Sequence, residues 1–278
     1  MKKLILIGNP VEQSLSPQMH NAALGALNLP LVYEKILVLP EELEQTIDML
    51  RNELYAGANV TIPYKSACIP FLDKVDESAE KIGAVNTIVK EGSQLVGYNT
   101  DGTGFVRGLK ETAPFPLDNG DVLVIGAGGA ARGIVSALLA ERVRSIAVCN
   151  RTYSKAEELV ADVASSSLQA LTLEKAESHL NRYSIIINTT SVGMFPHTEK
   201  MPLRLGTLRQ QAVVSDIIYN PFETQLLAEA KKRDAIIDNG VSMFVYQGAL
   251  AFEKWTGIFP DTAIMRDKVT EELRRKLC

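Results

Sequence analysis

Residues 121–133 read DVLVIGAGGAARG. An apolar, β-branched run over Asp121–Ile125 enters a turn at Gly126–Gly129, and a helix-forming stretch, Ala130–Glu141, leaves it. Gly126-Ala127-Gly128-Gly129-Ala130-Ala131 fits G-x-G-x-x-A in the context that gives this weak pattern weight, a strand before and a helix after. Each small residue has a physical task. Gly126 can take the backbone angles of a tight turn. Gly128 has no Cβ, so a pyrophosphate can come close, and Ala131 lets the helix pack against the strand. The helix N-terminus offers unpaired N–H groups and a partial positive charge to an anion. A glycine turn with no ligand is the plain structural alternative. A correctly spaced second strand argues against it.

That second strand, Ser145–Cys149, decides which dinucleotide is expected. NAD-binding versions carry an Asp or Glu about 20 residues on, which binds the ribose 2′-hydroxyl. Here the strand ends in Asn150-Arg151-Thr152-Tyr153-Ser154-Lys155, with no acid at the tip. A carboxylate would repel a 2′-phosphate, whereas Arg151 can pair with it through two parallel hydrogen bonds. NADP is the cofactor this predicts. Thr152 and Ser154 also suit a helix cap, and Lys155 a solvated helix face.

Outward from this stretch, short β-branched runs alternate with helix-like segments, the mark of α/β layers. Downstream, strands are expected near 168–172, 184–188, 213–218 and 235–238, with helices at 154–164 and 223–233. This is the rhythm of a doubly wound parallel sheet, Rossmann-like in build. Upstream, strands are expected near 3–8, 32–38, 57–62, 85–90 and 94–98, and helices at 17–27, 41–53, 66–72 and 76–82. Glu91-Gly92-Ser93 between two apolar runs predicts a hairpin. Ala113–Gly120, rich in Pro, Asn and Gly, reads as a linker or boundary. Past Asn239-Gly240, residues 242–255 and 261–276 read as helices with no strand after them. They are expected to pack back on the first domain, making it discontinuous.

Composition narrows the function classes. The chain has 278 residues, room for two modest domains, and a net charge of −4, so no basic field argues for nucleic acid. No apolar run reaches the roughly 18 residues of a membrane span. The opening MKKLILIG breaks at Gly8-Asn9-Pro10, too short for a signal peptide's apolar region, and reads as a first strand. Cys68, Cys149 and Cys278 are far apart and form no C-x-x-C pair, which suggests reduced thiols in a cytoplasm. His20, His179 and His197 are scattered too, so no metal site is expected. No heptad or apolar stripe sets an oligomeric state; a monomer and a homodimer stay open.

Four polar clusters interrupt the apolar pattern of the first hundred residues. Ser14-Leu15-Ser16-Pro17 precedes a helix, where Ser16 suits an N-cap and two hydroxyls make a carboxylate cradle. Asn59-Val60-Thr61-Ile62-Pro63-Tyr64-Lys65 delivers Lys65 at the carboxyl end of a strand, where α/β sites form. Asn86-Thr87 opens one strand and Asn99-Thr100-Asp101-Gly102 follows the next. Asp101 reads either as a helix N-cap or, set near Lys65, as half of a proton-handling pair.

The chain resembles the shikimate dehydrogenase family. The matching pieces, in family order, are GNPVEQSLSPQMHN, NVTIPYK, GAVNTIV, GYNTDGTGF, VIGAGGAARG, NRT, NTTSVGM, DIIYNPFET and MFVYQGALAFEKWTG, spanning residues 8 to 257. The resemblance implies two α/β domains with a cleft between them. Residues 1–101 plus 240–278 would bind substrate and carry the chemistry, and 102–239 would be the NADP-binding, Rossmann-like domain. Ser14 and Ser16 would hold the substrate carboxylate. Thr61, Asn86, Asn99 and Gln247 would hold ring hydroxyls, with Tyr219 close by. Lys65 and Asp101 would be the catalytic pair. Gly126, Gly128, Gly129 and Ala130 would hold the pyrophosphate, and Asn150, Arg151 and Thr152 the 2′-phosphate. Gly240 and Met243 would lie near the nicotinamide. Gln13, Gln225 and Phe244 depart from the family's usual His, Pro and Leu, and Phe244 bears on the shape of the nicotinamide pocket.

The implied reaction is reversible reduction of 3-dehydroshikimate to shikimate by NADPH, in aromatic amino acid (chorismate) biosynthesis. A quinate/shikimate dehydrogenase of broader specificity is a second reading; Arg151-Thr152 argues against its usual acidic strand end. A non-catalytic dinucleotide sensor is a third, and it predicts a decayed proton pair, whereas Lys65 and Asp101 are both present.

Overall fold

The apolar run at the start of the sequence is strand β1 (Lys2–Gly8), and its last five residues are all buried in the middle of a mixed sheet. The structure is a computed structural model describing residues 1–275. It divides into two units, Met1–Asp101 with the segment from Val245 onward, and Gly102–Phe244.

In the first unit β1 is followed by α1 (Ser16–Ala26), β2 (Leu31–Leu37), α2 (Leu43–Met49), β3 (Tyr55–Val60), β4 (Lys74–Val75), α3 (Glu77–Ile82), β5 (Thr87–Glu91) and β6 (Gln94–Tyr98). The sheet order is β2-β1-β3-β5-β6-β4. β1 pairs in parallel with β2 and β3; β5 then runs antiparallel to both β3 and β6. The expected hairpin joins β5 to β6, with Gly92 at φ 63°. This alternation has a consequence for chemistry. The carboxyl ends of β1 and β3, the amino end of β5 and the carboxyl end of β6 all lie along one edge of the sheet. The four polar clusters sit at those ends.

Two expectations need correction here. The helix expected at 41–53 shortens to α2, after a single 3₁₀ turn at Pro40–Glu42. The helix expected at 66–72 is only a 3₁₀ turn at Ile69–Phe71, because Pro70 has no N–H and restricts the residue before it.

The second unit opens on α4 (Asp101–Thr112) and continues β7 (Asp121–Ile125), α5 (Gly129–Ala140), β8 (Ser145–Cys149), α6 (Tyr153–Val163), β9 (Leu168–Leu171), α7 (Leu173–Ser178), β10 (Ile185–Asn188), β11 (Val213–Asp216), α8 (Gln225–Lys231) and β12 (Ile236–Asp238). Its six strands are all parallel, in the order β12-β11-β10-β7-β8-β9. The order reverses between β7 and β10, the switch point where ligands bind in open α/β sheets. Both faces are covered by apolar clusters, Ile134 and Leu138 on one and Leu226 and Leu227 on the other. The proline-rich stretch 113–120 is not a boundary. Leu117 is buried in this unit's core, and Ala113 and Phe115 pack against it.

Two helices close the chain, α9 (Gly240–Thr256) and α10 (Thr262–Arg275). The division into units falls within α9, at Val245, rather than at the expected Gly240. In the first unit α10 packs on α1, and Trp255 Nε1 donates to the carbonyl of Ile88 at 3.0 Å. Gly57 permits that approach, since a Cβ there would lie 2.5 Å from the indole nitrogen. Cys278, and the end of the helix expected at 261–276, lie outside the described residues.

The same packing buries His20 completely. Its ring stacks on Tyr33 at 4.3 Å and on Phe252 at 6.3 Å, and neither ring nitrogen has a hydrogen-bond partner. Burial lowers its pKa from 6.5 to about 3. Between those values the unfolded chain binds one more proton than the folded one. Stability from this group is therefore complete above about pH 6.5 and falls as the pH drops toward 3. We expect His20→Phe to flatten the loss of unfolding free energy between pH 6.5 and 4 by about 1.4 kcal/mol per pH unit, read by urea denaturation. An unchanged slope in the variant would contradict a neutral buried imidazole.

Candidate active site

The polar clusters of the first unit form one connected network. Ser14 Oγ donates to Ser16 Oγ at 3.1 Å and accepts from the Ser16 backbone N–H. Ser16, which the sequence suggests as an N-cap, is already the first residue of α1; the N-cap position is Leu15, with no side-chain cap. The Ser16 hydroxyl interacts with the Tyr33 phenol, which donates to Asn59 Oδ1 at 2.7 Å. Asn59 Nδ2 donates to Thr87 Oγ1, its cross-strand partner in register. Thr87 Oγ1 donates to Asn86 Oδ1 at 2.8 Å. Asn86 Nδ2 reaches both Thr100 Oγ1 and Asp101 Oδ1 at 2.9 Å. The chain ends where Lys65 Nζ donates to Asp101 Oδ2 at 2.5 Å.

This geometry orients the pair. Asp101 is not an N-cap; it is the first residue of α4, and Asn99 Oδ1 accepts its backbone N–H. One carboxylate oxygen is held by Asn86 and the other faces Lys65. The Asp101 side chain is 10% exposed and that of Lys65 30%, so the ammonium is the open end of the pair. The Lys65 backbone is fixed as well, its carbonyl accepting from Val85 N at 2.7 Å.

Of the expected substrate residues, Ser14, Ser16, Asn86 and Asn99 therefore join Lys65 and Asp101 in one network. Gln247 meets it through its carbonyl, which accepts from Thr100 Oγ1 at 3.0 Å. Thr61 follows β3 with its methyl over Gly8, where a Cβ would lie 2.3 Å away. Tyr219 belongs to the second unit, where its ring lies 4.8 Å from Phe244. Sequence reasoning passed over Tyr33, and noted Asn59, Thr87 and Thr100 only as neighbours. Tyr33, Asn59 and Thr87 stand within apolar strand runs, where a buried polar atom needs an internal partner, and Thr100 lies between β6 and α4.

In the second unit the glycine turn joins β7 to α5. Gly126 has φ 112°, and a Cβ there would lie 2.5 Å from Thr189 Oγ1. Nothing lies within 4 Å of where a Cβ would stand at Gly128 or Gly129. The start of α5, which includes Ala130, has no side-chain cap and no acidic residue in its first turn. Its N–H groups therefore remain to be paired. Beyond β8, Asn150 Nδ2 donates to the Thr152 carbonyl at 2.8 Å and shapes the turn. Thr152 is the N-cap of α6, yet its hydroxyl makes no capping bond, contrary to the simple structural expectation. Arg151 is exposed and has no ion-pair or hydrogen-bond partner among the described residues. Open space, unpaired donors and an unpaired guanidinium suit a dinucleotide with a 2′-phosphate.

Gly240 opens α9 where a Cβ would lie 2.1 Å from the Ile217 carbonyl, so only glycine fits. Met243, a turn later, is partly buried against the core. Gln225 begins α8 without the proline usual there; Thr224 caps the helix instead, accepting from Leu227 N. Asp216, at the end of β11, accepts from Thr224 Oγ1, Asn188 Nδ2 and Ile218 N. Burial outweighs these donors and pushes its carboxyl up to about 6.

A parallel sheet with a glycine turn at its switch point in one unit, and a lysine–aspartate pair in the other, define a class: dinucleotide-dependent oxidoreductases of two-unit α/β build. Three family models match in succession: the shikimate dehydrogenase substrate binding domain over residues 6–88, shikimate/quinate 5-dehydrogenase over 110–220, and the shikimate 5′-dehydrogenase C-terminal domain over 240–270. The shikimate dehydrogenase (NADP(+)) of Geobacillus sp. (strain WCH70) is 52% identical over 276 residues, 99% of this chain and 100% of that protein. That of Geobacillus kaustophilus (strain HTA426) is 54% identical, over 97% of this chain and 98% of its own length. The crystal structure of shikimate 5-dehydrogenase from Thermus thermophilus, in complex with NADP(H) and shikimate, is 36% identical with a TM-score of 0.89, covering 98% of this chain and 99% of that one. The chain belongs to the shikimate dehydrogenase family. No helix among the described residues is long and apolar enough to cross a membrane.

Proposed function

We propose that this chain catalyses the NADPH-dependent, reversible reduction of 3-dehydroshikimate to shikimate, a step of aromatic biosynthesis. The observation that carries the reading is the Lys65–Asp101 contact at 2.5 Å, at the end of a polar chain that starts at the paired serines. The first unit would bind substrate and carry the proton chemistry, and the second would hold the cofactor.

Gly126, Gly128, Gly129 and Ala130 would hold the pyrophosphate, and Asn150, Arg151 and Thr152 the 2′-phosphate. Gly240 and Met243 would stand near the nicotinamide. When bound, NADPH supplies the hydride. The residues of the first unit do the rest. Ser14 and Ser16 donate to the substrate carboxylate. Thr61, Asn86, Asn99 and Gln247 hold its hydroxyls. As negative charge grows on the ketone oxygen, the Lys65 ammonium stabilises it and transfers a proton to it. Asp101 accepts from a substrate hydroxyl and keeps Lys65 directed at the oxygen. In the reverse direction neutral Lys65 takes the proton from the alcohol.

A cytoplasmic location accords with the unpaired, buried thiols of Cys68 and Cys149, whose pKa values burial pushes up to about 12. The test is NADP⁺ reduction with shikimate and, separately, with quinate, repeated with NAD⁺. We expect turnover with shikimate and NADP⁺, and much slower turnover on changing either partner. No reduction of NADP⁺ by shikimate would overturn the proposal.

A further inference from the structure

The carboxylate of Asp216 lies outside both groups of residues assigned above, yet it is buried at the switch-point side of the second sheet. It collects three donors from three segments. Asn188 Nδ2, at the end of β10, reaches Oδ1 at 3.1 Å; Ile218 N, in the loop after β11, reaches the same oxygen at 3.1 Å; Thr224 Oγ1, at the cap of α8, reaches Oδ2 at 2.8 Å. The two oxygens are thus both engaged, Oδ1 by β10 and the loop after β11, and Oδ2 by the cap of α8. Asn188 in turn fixes the loop that follows it, Oδ1 accepting from the backbone and hydroxyl of Thr190 at 3.0 and 2.8 Å. On the other side, the Ile218 carbonyl accepts from Gly240 N at 3.0 Å, and a Cβ at Gly240 would lie 2.1 Å from the Ile217 carbonyl. Tyr219 follows at once and packs on Phe244.

We propose that Asp216 is a positioning residue: it ties the loops after β10 and β11 together and so sets the backbone ledge Ile217–Tyr219 on which the start of α9 rests. It touches neither substrate nor cofactor in this scheme. It acts through Ile218, Tyr219 and Gly240, and its role toward the nicotinamide end of the cofactor rests on the reading given above. Arg151 shares no hydrogen bond with it, and the glycine turn meets this network one step removed, through Thr189, whose N–H and hydroxyl donate to the Ile125 carbonyl, so the adenosine end should respond less than the nicotinamide end.

The test compares two ligands by titration calorimetry, NADP⁺ and 2′-phospho-ADP-ribose, which lacks the nicotinamide. In Asp216→Ala we expect the Kd for NADP⁺ to rise on the order of ten-fold while that for the fragment stays within about two-fold. Asp216→Asn, which keeps one acceptor, should recover part of the loss. Without ligand, the amides of Ile218 and Gly240 should exchange hydrogen faster in the variant than in the wild type, a readout independent of catalysis. Thr224→Val removes one donor with little change of volume and should show the same pattern more weakly; it carries the test if Asp216→Ala does not fold. Unchanged NADP⁺ affinity in the folded variants, or equal weakening of both ligands, would overturn the proposal. Failure of the wild type to oxidise shikimate while binding NADP⁺ would count against the assigned reaction alone.

Discussion

Replacing Lys65 with alanine is expected to cut kcat by at least about 10²–10⁴-fold and to leave the KM for shikimate within several-fold. The split follows from what the ammonium does. It donates to Asp101 in the resting site, at 2.5 Å, and its charge matters most when the ketone oxygen becomes negative. In the proposed mechanism substrate binding rests on other donors, the serine pair and Asn86, whose own bonds do not pass through Lys65. Loss of Lys65 leaves Asp101 still bonded to Asn86, so the fold should tolerate the change. Steady-state rates with shikimate and NADP⁺, beside a thermal unfolding curve, check both parts. Near-normal turnover in a folded Lys65→Ala protein would remove this lysine from the mechanism.

The second large effect is expected at Arg151. Arg151→Ala should raise the KM for NADP⁺ by about 10–100-fold, the worth of a charge-assisted pair, and leave that for NAD⁺ nearly unchanged. The residue is exposed and has no internal partner among the described residues, so its removal costs the fold nothing visible. The Asn150–Thr152 bond holds the turn in place without it. The preference should also weaken with added salt, because the guanidinium stands in solvent. Equal losses for both cofactors would show that Arg151 supports the turn rather than the 2′-phosphate.

The two halves of the chain differ in how legible they are. The parallel sheet of the second unit has strands within a residue or two of those expected, since β-branched runs buried on both faces leave a strong local signal. The missed elements are weak locally. β4 has two residues, and α7 is a short helix capped by Thr172, which accepts from Lys175 N. Ala113–Gly120 misled because Pro and Gly report a turn, whatever lies beneath it. There Leu117 is buried, and composition cannot register that.

The sequence by itself determined the strand–glycine–helix unit, the absence of an acid after β8 and the polar residues at four strand ends, because each depends on residues adjacent in the chain. It could name Lys65 and Asp101 as candidates but not join them. Their meeting depends on β5 and β6 running antiparallel beside β3, which brings strand ends from distant parts of the chain to one edge. The convergence of Asn188, Ile218 and Thr224 on Asp216 is of the same kind. So is the burial of His20 between Tyr33 and Phe252. Hydrogen bonds and ring contacts act over a few ångströms, and only the pairing of strands and the return of α9 bring residues so far apart in sequence within that distance.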